Sequence, residues 1–188
     1  MRVISGMSKG RKLVSPAGGQ TRPTADRVKE AVFNILGQQF QGLRVLDLFS
    51  GTGALAIEAL SRGASSAVIV DVSDKAIAVI RKNVALCGFE AKTRIVRWNI
   101  LRNLNCLDPQ ADSFDLVFLD PPYGKGMAVP TLEHLIQRGV LRDHAVVVLE
   151  HAAVETLPNS VGNLIQEDMR TYGRTAVRFY RWLEPANR

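Results

Sequence analysis

The sequence predicts an α/β protein built on a doubly wound, mostly parallel sheet, and two observations carry that expectation. From residue 43 onward, short and nearly continuous apolar runs alternate with segments of helical periodicity. That is the pattern of parallel strands covered on both faces by their connecting helices. A glycine-containing turn, DLFSGTGALAIEA at residues 47–59, lies between the first such run and the first following helix. Doubly wound sheets bind ligands at that position, where backbone N–H groups and a helix N-terminus face a crevice.

The chain opens on RVIS and RKLV around a turn containing Gly, Ser and Lys, which read as a hairpin too short to be stable alone. PAGGQTRPT follows as an irregular linker. In TADRVKEAVFNILG, Ala25, Val28, Ala31, Val32, Ile35 and Leu36 share one helical face, with Thr24 placed to cap the helix and Gly37 to stop it. LRVLDLF, SAVIVD, TRIVRW, FDLVFLD and AVVVLE then read as five strands. ALAIEALSRG, SDKAIAVIRKNVALCG and MAVPTLEHLIQRG are the helices among them, the second capped by Ser73 and stopped by Gly88. The closing GNLIQEDMRTYGRTAVRFYRWL breaks the alternation. Its two strand-like runs about Tyr172 and Gly173 predict an antiparallel hairpin at the sheet edge.

A length of 188 residues with 46% hydrophobic and 22% charged content suits a globular domain with its own core. No apolar run approaches the roughly 20 residues of a membrane span, and MRVISGMSKGRKL lacks the apolar centre of a signal peptide. A soluble cytoplasmic protein without membrane association is expected. Cys87 and Cys106 stand apart, with no CxxC and no His/Cys cluster, which points to a reducing compartment and no metal site. The net charge of +6 is unevenly spread: residues 1–30 carry a net +5, residues 170–188 a net +4, and the middle is acidic. Such a distribution suits a polyanion held at the edges and a cationic small molecule bound inside, and equally suits basic ends that only aid solubility.

Gly51, Gly53 and Ala56 satisfy the dinucleotide fingerprint G-x-G-x-x-G/A, and Asp71 stands 18 residues beyond Gly53. Asp47, four residues before the first glycine, argues against a dinucleotide. A pyrophosphate about 5 Å from its carboxylate would be repelled by roughly 3 kcal/mol at an effective dielectric of 20. S-adenosylmethionine carries a sulfonium and an ammonium instead, which an acid attracts. Asp71 can accept both ribose hydroxyls, since an ionised carboxylate has two acceptor oxygens. Asn99, after TRIVRW, can meet the adenine edge or serve as an ordinary turn asparagine. The expected cofactor set is Asp47, Phe49, Ser50, Gly51, Gly53, Asp71, Val72 and Asn99.

FDLVFLDPPYG, residues 114–124, is the most specific signal in the chain. Proline biases its predecessor toward extended backbone and fixes its own φ, so Asp120, Pro121, Pro122 and Tyr123 form a rigid turn at a strand end. The Asp120 carboxylate and Pro121 carbonyl can accept both hydrogens of an exocyclic amine, and Tyr123 can stack on the base. An aryl amine is a poor nucleophile because its lone pair is delocalised. Accepting its hydrogens while orienting it favours the pyramidal, partly positive nitrogen of a methyl-transfer transition state. These four residues are the expected catalytic set.

With these motifs in order, the chain resembles the class I methyltransferases, and more narrowly the RsmD family of bacterial small-subunit ribosomal RNA guanine-N2 methyltransferases. MRVISGMSKGRKLVSP, TRPTADRVKEAVFNIL, DLFSGTGALAIEALSRGA, DPPY and TYGRTAVRFY carry the resemblance across nearly the whole chain, and TRPT-x-D-R-V-x-E is its most family-specific part. The resemblance implies a Rossmann-like sheet of seven strands with an N-terminal hairpin extension, and S-adenosyl-L-methionine as cofactor. It also implies one guanine of ribosomal RNA, presented in a small-subunit particle, as target. The expected organisation is a basic extension over residues 1–20 and a methyltransferase domain over residues 21–188, acting as a monomer. Lys9, Arg11, Lys12 and Arg22 are the expected RNA contacts. The family tends to carry Glu in place of Asp71 and Asp in place of Asn99; the first shortens the reach and the second removes a charge.

Three alternatives remain open to the sequence. The tetrapeptide can hold an adenine N6 or cytosine N4 amine as well as guanine N2. A NAD-dependent oxidoreductase is disfavoured by Asp47, and a non-catalytic RNA-binding module leaves DPPY unexplained. His134, His144 and His151 have no motif partners and read as structural, whereas Glu150, at the end of AVVVLE, is placed to line the crevice.

Overall fold

Residues 1–15 and 23–185 are described by a computed structural model, in which the chain forms two compact units, Met1–Trp98 and Asn99–Arg188. Arg22 and residues 16–22 of the expected linker lie outside the described residues. Helix α1 (Pro23–Leu36) begins at Pro23, so Thr24 sits in its first turn rather than capping it. Proline suits the first helical position, where its missing N–H would be unsatisfied in any case.

The remaining elements of the first unit are β1 (Arg44–Leu48), α2 (Ala54–Ser61), β2 (Ser66–Asp71), α3 (Asp74–Cys87) and β3 (Thr93–Arg97). The strands run parallel in the order β3-β2-β1, with Asp47 opposite Ile69 and Asp71 opposite Arg97. After their first residues β1 and β2 are buried throughout, which is why their sequences are unbroken apolar runs except at Asp47 and Asp71. Helix α3 has the expected ends: the Ser73 hydroxyl accepts from the Ala76 N–H at 3.4 Å, and Gly88 donates to the Ala85 carbonyl.

The N-terminal hairpin contains one β-bridge, Arg2 to Lys12, supported by Val3 N–H to Arg11 O at 3.0 Å and Leu13 N–H to Met1 O at 3.0 Å. It is no free extension, because Val3 and Leu13 are buried and the segment is tied to α2. Glu58 is fully buried, and its two oxygens accept four donors: the N–H groups of Ile4 (2.7 Å) and Ser5 (3.0 Å), Lys29 Nζ (3.3 Å) and Arg62 Nε (2.9 Å). That fills the acceptor capacity of a carboxylate, and burial of Lys29 lowers its pKa against the pull of Glu58. Gly6 lies against the end of α2 at φ +81°, where a Cβ would stand 1.8 Å from the Ser61 carbonyl oxygen. Gly6→Ala is therefore expected to cost about 2–3 kcal/mol through strain and displaced contacts. A thermal melt should show a fall of about 4–12 °C.

The second unit contains β4 (Phe114–Leu119), α4 (Ala128–Arg138), β5 (Leu141–Ala152), β6 (Ser160–Val161), β7 (Leu164–Tyr172) and β8 (Thr175–Trp182). Its strand order is β4-β5-β8-β7-β6, parallel between β4 and β5 and antiparallel thereafter, with the expected closing hairpin made by β7 and β8. The expected α/β class holds, but the described residues form eight strands rather than seven. The additional β6 has two residues, too few to leave a periodic trace. β5 is also longer than AVVVLE, since Leu141 pairs with Phe114 before a register shift that contains His144 at φ +60°. Among the described residues no helix is long and apolar enough to cross a membrane.

The C-terminal arginines are less available than their number suggests. Arg178 is buried and donates to His151 Nε2 at 3.2 Å and to Gln166. Arg181 pairs with Glu167 at 2.9 Å and Arg170 with Asp168 at 3.0 Å. In the N-terminal segment Lys9, Arg11 and Lys12 are exposed.

Candidate active site

In the first unit, β1 delivers Asp47 to the start of the glycine loop, 1% exposed. Its Oδ2 accepts from the Ser50 hydroxyl at 2.8 Å and from the Ala56 N–H at 3.1 Å, joining the strand tip to the first turn of α2. Burial pushes its pKa up to about 7; the bonds from Ser50 and Ala56 oppose the rise and the charge of Asp71 adds to it. Asp71, at the end of β2, accepts the Gly51 N–H at 2.9 Å through Oδ2 and the Ser73 N–H at 2.9 Å through Oδ1. Oδ2 therefore holds the glycine loop and Oδ1 the residue that caps α3, and each oxygen keeps a second acceptor site. From sequence this acid reads as a ribose contact or as the cap of the following helix; the structure shows it bonded to the N–H of Ser73 at the start of α3 and also holding the glycine loop through Gly51.

The loop between them is conformationally unusual. Phe49 has φ +58°, a region that non-glycine residues rarely occupy, and Gly53 caps α2 at φ +76°. A side chain at Gly53 would meet only ordinary contact with Ile80, so backbone conformation is what requires glycine there. Val72, beside Asp71, is 59% exposed. This apolar face next to a carboxylate suits a ligand with a flat ring and a ribose. Residues 47–53, 71 and 72 thus fit S-adenosylmethionine: an acid for its cationic end, backbone N–H groups in the turn, and a carboxylate with spare acceptor capacity.

Asn99 opens the second unit as a turn residue, its Oδ1 accepting the Leu101 N–H at 3.1 Å. In the same unit Asp120 is exposed at the end of β4, and Pro121 behind it is buried. Tyr123 donates its hydroxyl to Glu150 Oε1 on β5 and lies 3.2 Å from Thr175 Oγ1 on β8. The Gly124 N–H is held by Glu155. Burial, with the bond to Glu150 second, raises the Tyr123 hydroxyl pKa, and burial also raises that of Glu150. Two acids from the segment following β4 and α4 thus pin the DPPY turn from its tyrosine and its glycine. Glu150, expected as a lining residue, is a partner of Tyr123. The ring remains 41% exposed, leaving a surface for stacking.

His151 fulfils its structural reading: Nδ1 donates to the Ala152 carbonyl at 2.9 Å while Nε2 receives Arg178, and burial lowers its pKa. His134 contacts the Ile100 carbonyl at 3.1 Å.

Asn83 was missed in the sequence. Fully buried on α3, it accepts from the Val14 N–H at 2.7 Å and donates to the carbonyls of Val14 (3.0 Å) and Thr52 (2.9 Å). One amide thus fixes the glycine loop and the N-terminal segment together. Its sequence signal was a lone polar residue on the same face as Ala76, Ile80, Val84 and Cys87. Glu58, the one charge in ALAIEALS, gave a similar signal.

The family model described as conserved hypothetical protein 95 matches residues 1–181. The Escherichia coli (strain K12) protein named Ribosomal RNA small subunit methyltransferase D is 33% identical over 180 residues, covering 96% of this chain and 89% of its own. This chain belongs to the RsmD family. A Bacillus subtilis (strain 168) relative, named "Putative rRNA methyltransferase YlbH", is 40% identical over 181 residues, covering 96% and 98% of the two chains. The RsmD-family fold is also seen in the solved structure "Putative methyltransferase yhhF from Escherichia coli". That structure matches with TM-score 0.86 at 32% identity, covering 98% of this chain and 99% of its own.

Proposed function

We propose that the chain transfers a methyl group from S-adenosylmethionine to the exocyclic N2 amine of a guanine in small-subunit ribosomal RNA, acting as a cytoplasmic monomer on a ribosomal particle. The observation that carries this reading is the DPPY turn, with its exposed acid at a strand end and its tyrosine and glycine held by Glu150 and Glu155. The names of the Escherichia coli and Bacillus subtilis relatives support ribosomal RNA as the substrate. When bound, S-adenosylmethionine supplies an electrophilic methyl group on a sulfonium. The roles of this chain's residues follow from their chemistry. Asp47 would offer charge to the cationic cofactor, Asp71 would accept ribose hydroxyls and exposed Val72 would offer the adenine an apolar face, with Phe49, Ser50, Gly51 and Gly53 shaping the turn; the Asn99 amide suits an adenine edge. Asp120 and the Pro121 carbonyl accept the amine hydrogens and Tyr123 stacks on the base. Asp120 is also the group to take the proton that the nitrogen releases once it has gained its methyl.

The test is methylation of small ribosomal subunits from cells lacking the protein, followed by mapping of the labelled nucleotide. The expected product is N2-methylguanine at one position. Label on adenine N6 or cytosine N4 would move the specificity, and no transfer to ribosomal RNA would overturn the reading.

Asp47 makes the cofactor assignment testable by pH. Its carboxyl is neutral below its pKa of about 7 and charged above it. Because this pKa lies above the unfolded value, the ligand-free fold loses stability as pH rises from the ordinary carboxylate range to about 7. Binding of a cation runs the other way and strengthens over the same window. Calorimetry between pH 5.5 and 7.5 should show the dissociation constant falling roughly twentyfold. In Asp47→Asn the amide oxygen still accepts from Ser50 and Ala56, so the fold should persist, with affinity at least about tenfold weaker and nearly independent of pH. A native protein with flat affinity would remove Asp47 from the cofactor site.

A further inference from the structure

We propose that Lys125 and Arg174, from two separate segments beside the DPPY turn, clamp the phosphates of the target nucleotide. The proposal rests on the reading of the chain as an RNA methyltransferase. That reading brings a polyanion to a turn rich in negative charge. Asp120 is exposed on it, and Glu150 and Glu155 are bonded to Tyr123 and Gly124. Three carboxylates repel a phosphate strand unless cations stand beside them.

Many cations of the second unit are already engaged. Arg138, Arg142, Arg170, Arg178 and Arg181 are each held by a carbonyl, an acid or a neutral side chain. Arg102, Lys125 and Arg174 are exposed and make no side-chain hydrogen bond or ion pair with a described residue. Of these, Lys125 and Arg174 are tied to the DPPY turn. Lys125 lies two residues after Tyr123, a span of at most about 7 Å. Arg174 precedes Thr175, whose Oγ1 is 3.2 Å from the Tyr123 hydroxyl. The Arg174 carbonyl accepts the Ala153 N–H at 2.9 Å, and nearby Glu155 holds the Gly124 N–H. A tight turn, closed by the Glu155 N–H to the Ala152 carbonyl at 2.9 Å, thus joins the backbone of Arg174 to that of Gly124, next to Lys125. A base stacked on the Tyr123 ring carries its phosphates toward the rim of this frame, where the two long side chains begin. The planar fork of Arg suits two phosphate oxygens, and Lys supplies a compact charge.

The test is single-turnover methylation of small ribosomal subunits from cells lacking the protein, by the native protein, Lys125→Ala, Arg174→Ala and the double variant. Each single change should raise the subunit concentration that gives half the limiting rate about tenfold, the factor that one hydrogen bond to a charged partner supplies. The double change should raise it about a hundredfold. The limiting rate should stay within about threefold, since a phosphate contact is made equally before and in the transition state. RNA titrations at three or more salt concentrations should give a slope of log K against log salt flatter by roughly 0.7–0.9 for each charge removed. Lys125→Arg and Arg174→Lys keep the charge and should restore most of the affinity. Thermal midpoints should stay within about 2 °C of native, as for exposed side chains without partners, and so report an intact fold.

A limiting rate that falls while half-saturation and salt slope stay native would mean that the two charges only balance the nearby acids, which overturns the clamp. Native values throughout overturn it as well, as do charge-keeping variants as weak as the alanines. A native protein that binds RNA but methylates no ribosomal subunit overturns the functional reading instead, and the salt slopes then judge the clamp alone. A native protein that binds no RNA overturns both.

Discussion

Asp120→Ala is expected to bind S-adenosylmethionine within a few fold of the native protein and to transfer methyl groups roughly a hundredfold more slowly or worse. The size is that of removing one oriented hydrogen-bond partner from a transition state. The separation of binding from chemistry follows from the local structure. Asp120 stands at the exposed end of β4, and the turn after it is held by the Tyr123 bond to Glu150 and the Gly124 bond to Glu155. Both anchors remain when the carboxylate is removed, so the prolines and the tyrosine should stay in place. Asp120→Asn sharpens the test, because an amide oxygen accepts a hydrogen bond but takes up no proton. Its rate should lie between those of the native protein and the alanine variant. Single-turnover transfer to small ribosomal subunits, with cofactor affinity measured separately, reads both quantities. Near-normal turnover in Asp120→Ala would reduce DPPY to a rigid turn.

The sequence was most legible where burial is complete and local. β1, β2 and β4 are buried almost throughout, so their apolar runs identify them directly, and α3 carries both of its end signals, Ser73 and Gly88. Asp47 and Asp71 were visible because one interrupts and the other ends such a run. What sequence could not show is which polar residues face inward. Glu58 and Asn83 occupy ordinary positions in amphipathic helices, and their importance comes from partners 29 to 69 residues away, which local pattern does not register: Ile4, Ser5 and Lys29 for one, Val14 and Thr52 for the other. Charge counting failed for a related reason. Arg170, Arg178 and Arg181 count as a basic end in the sequence, yet each is engaged by Asp168, by His151 and Gln166, or by Glu167.

That redistribution bears on the basic N-terminal segment, where Lys9, Arg11 and Lys12 are exposed on a hairpin anchored through its backbone to Glu58. Anchoring by backbone N–H groups leaves the three cationic side chains available to a phosphate strand. Each phosphate neutralised steepens the dependence of log K on log salt by roughly 0.7–0.9. Replacing all three with Glu should flatten the slope by about two to three units and weaken RNA binding uniformly across sequences. Cofactor affinity should not move, because the contacts from this segment to the glycine loop run through Val14 and Asn83 and use no charged side chain. If the charges serve solubility alone, the native and variant slopes will be parallel. RNA titrations of both proteins at three or more salt concentrations decide the matter, and parallel slopes would remove the hairpin from substrate binding.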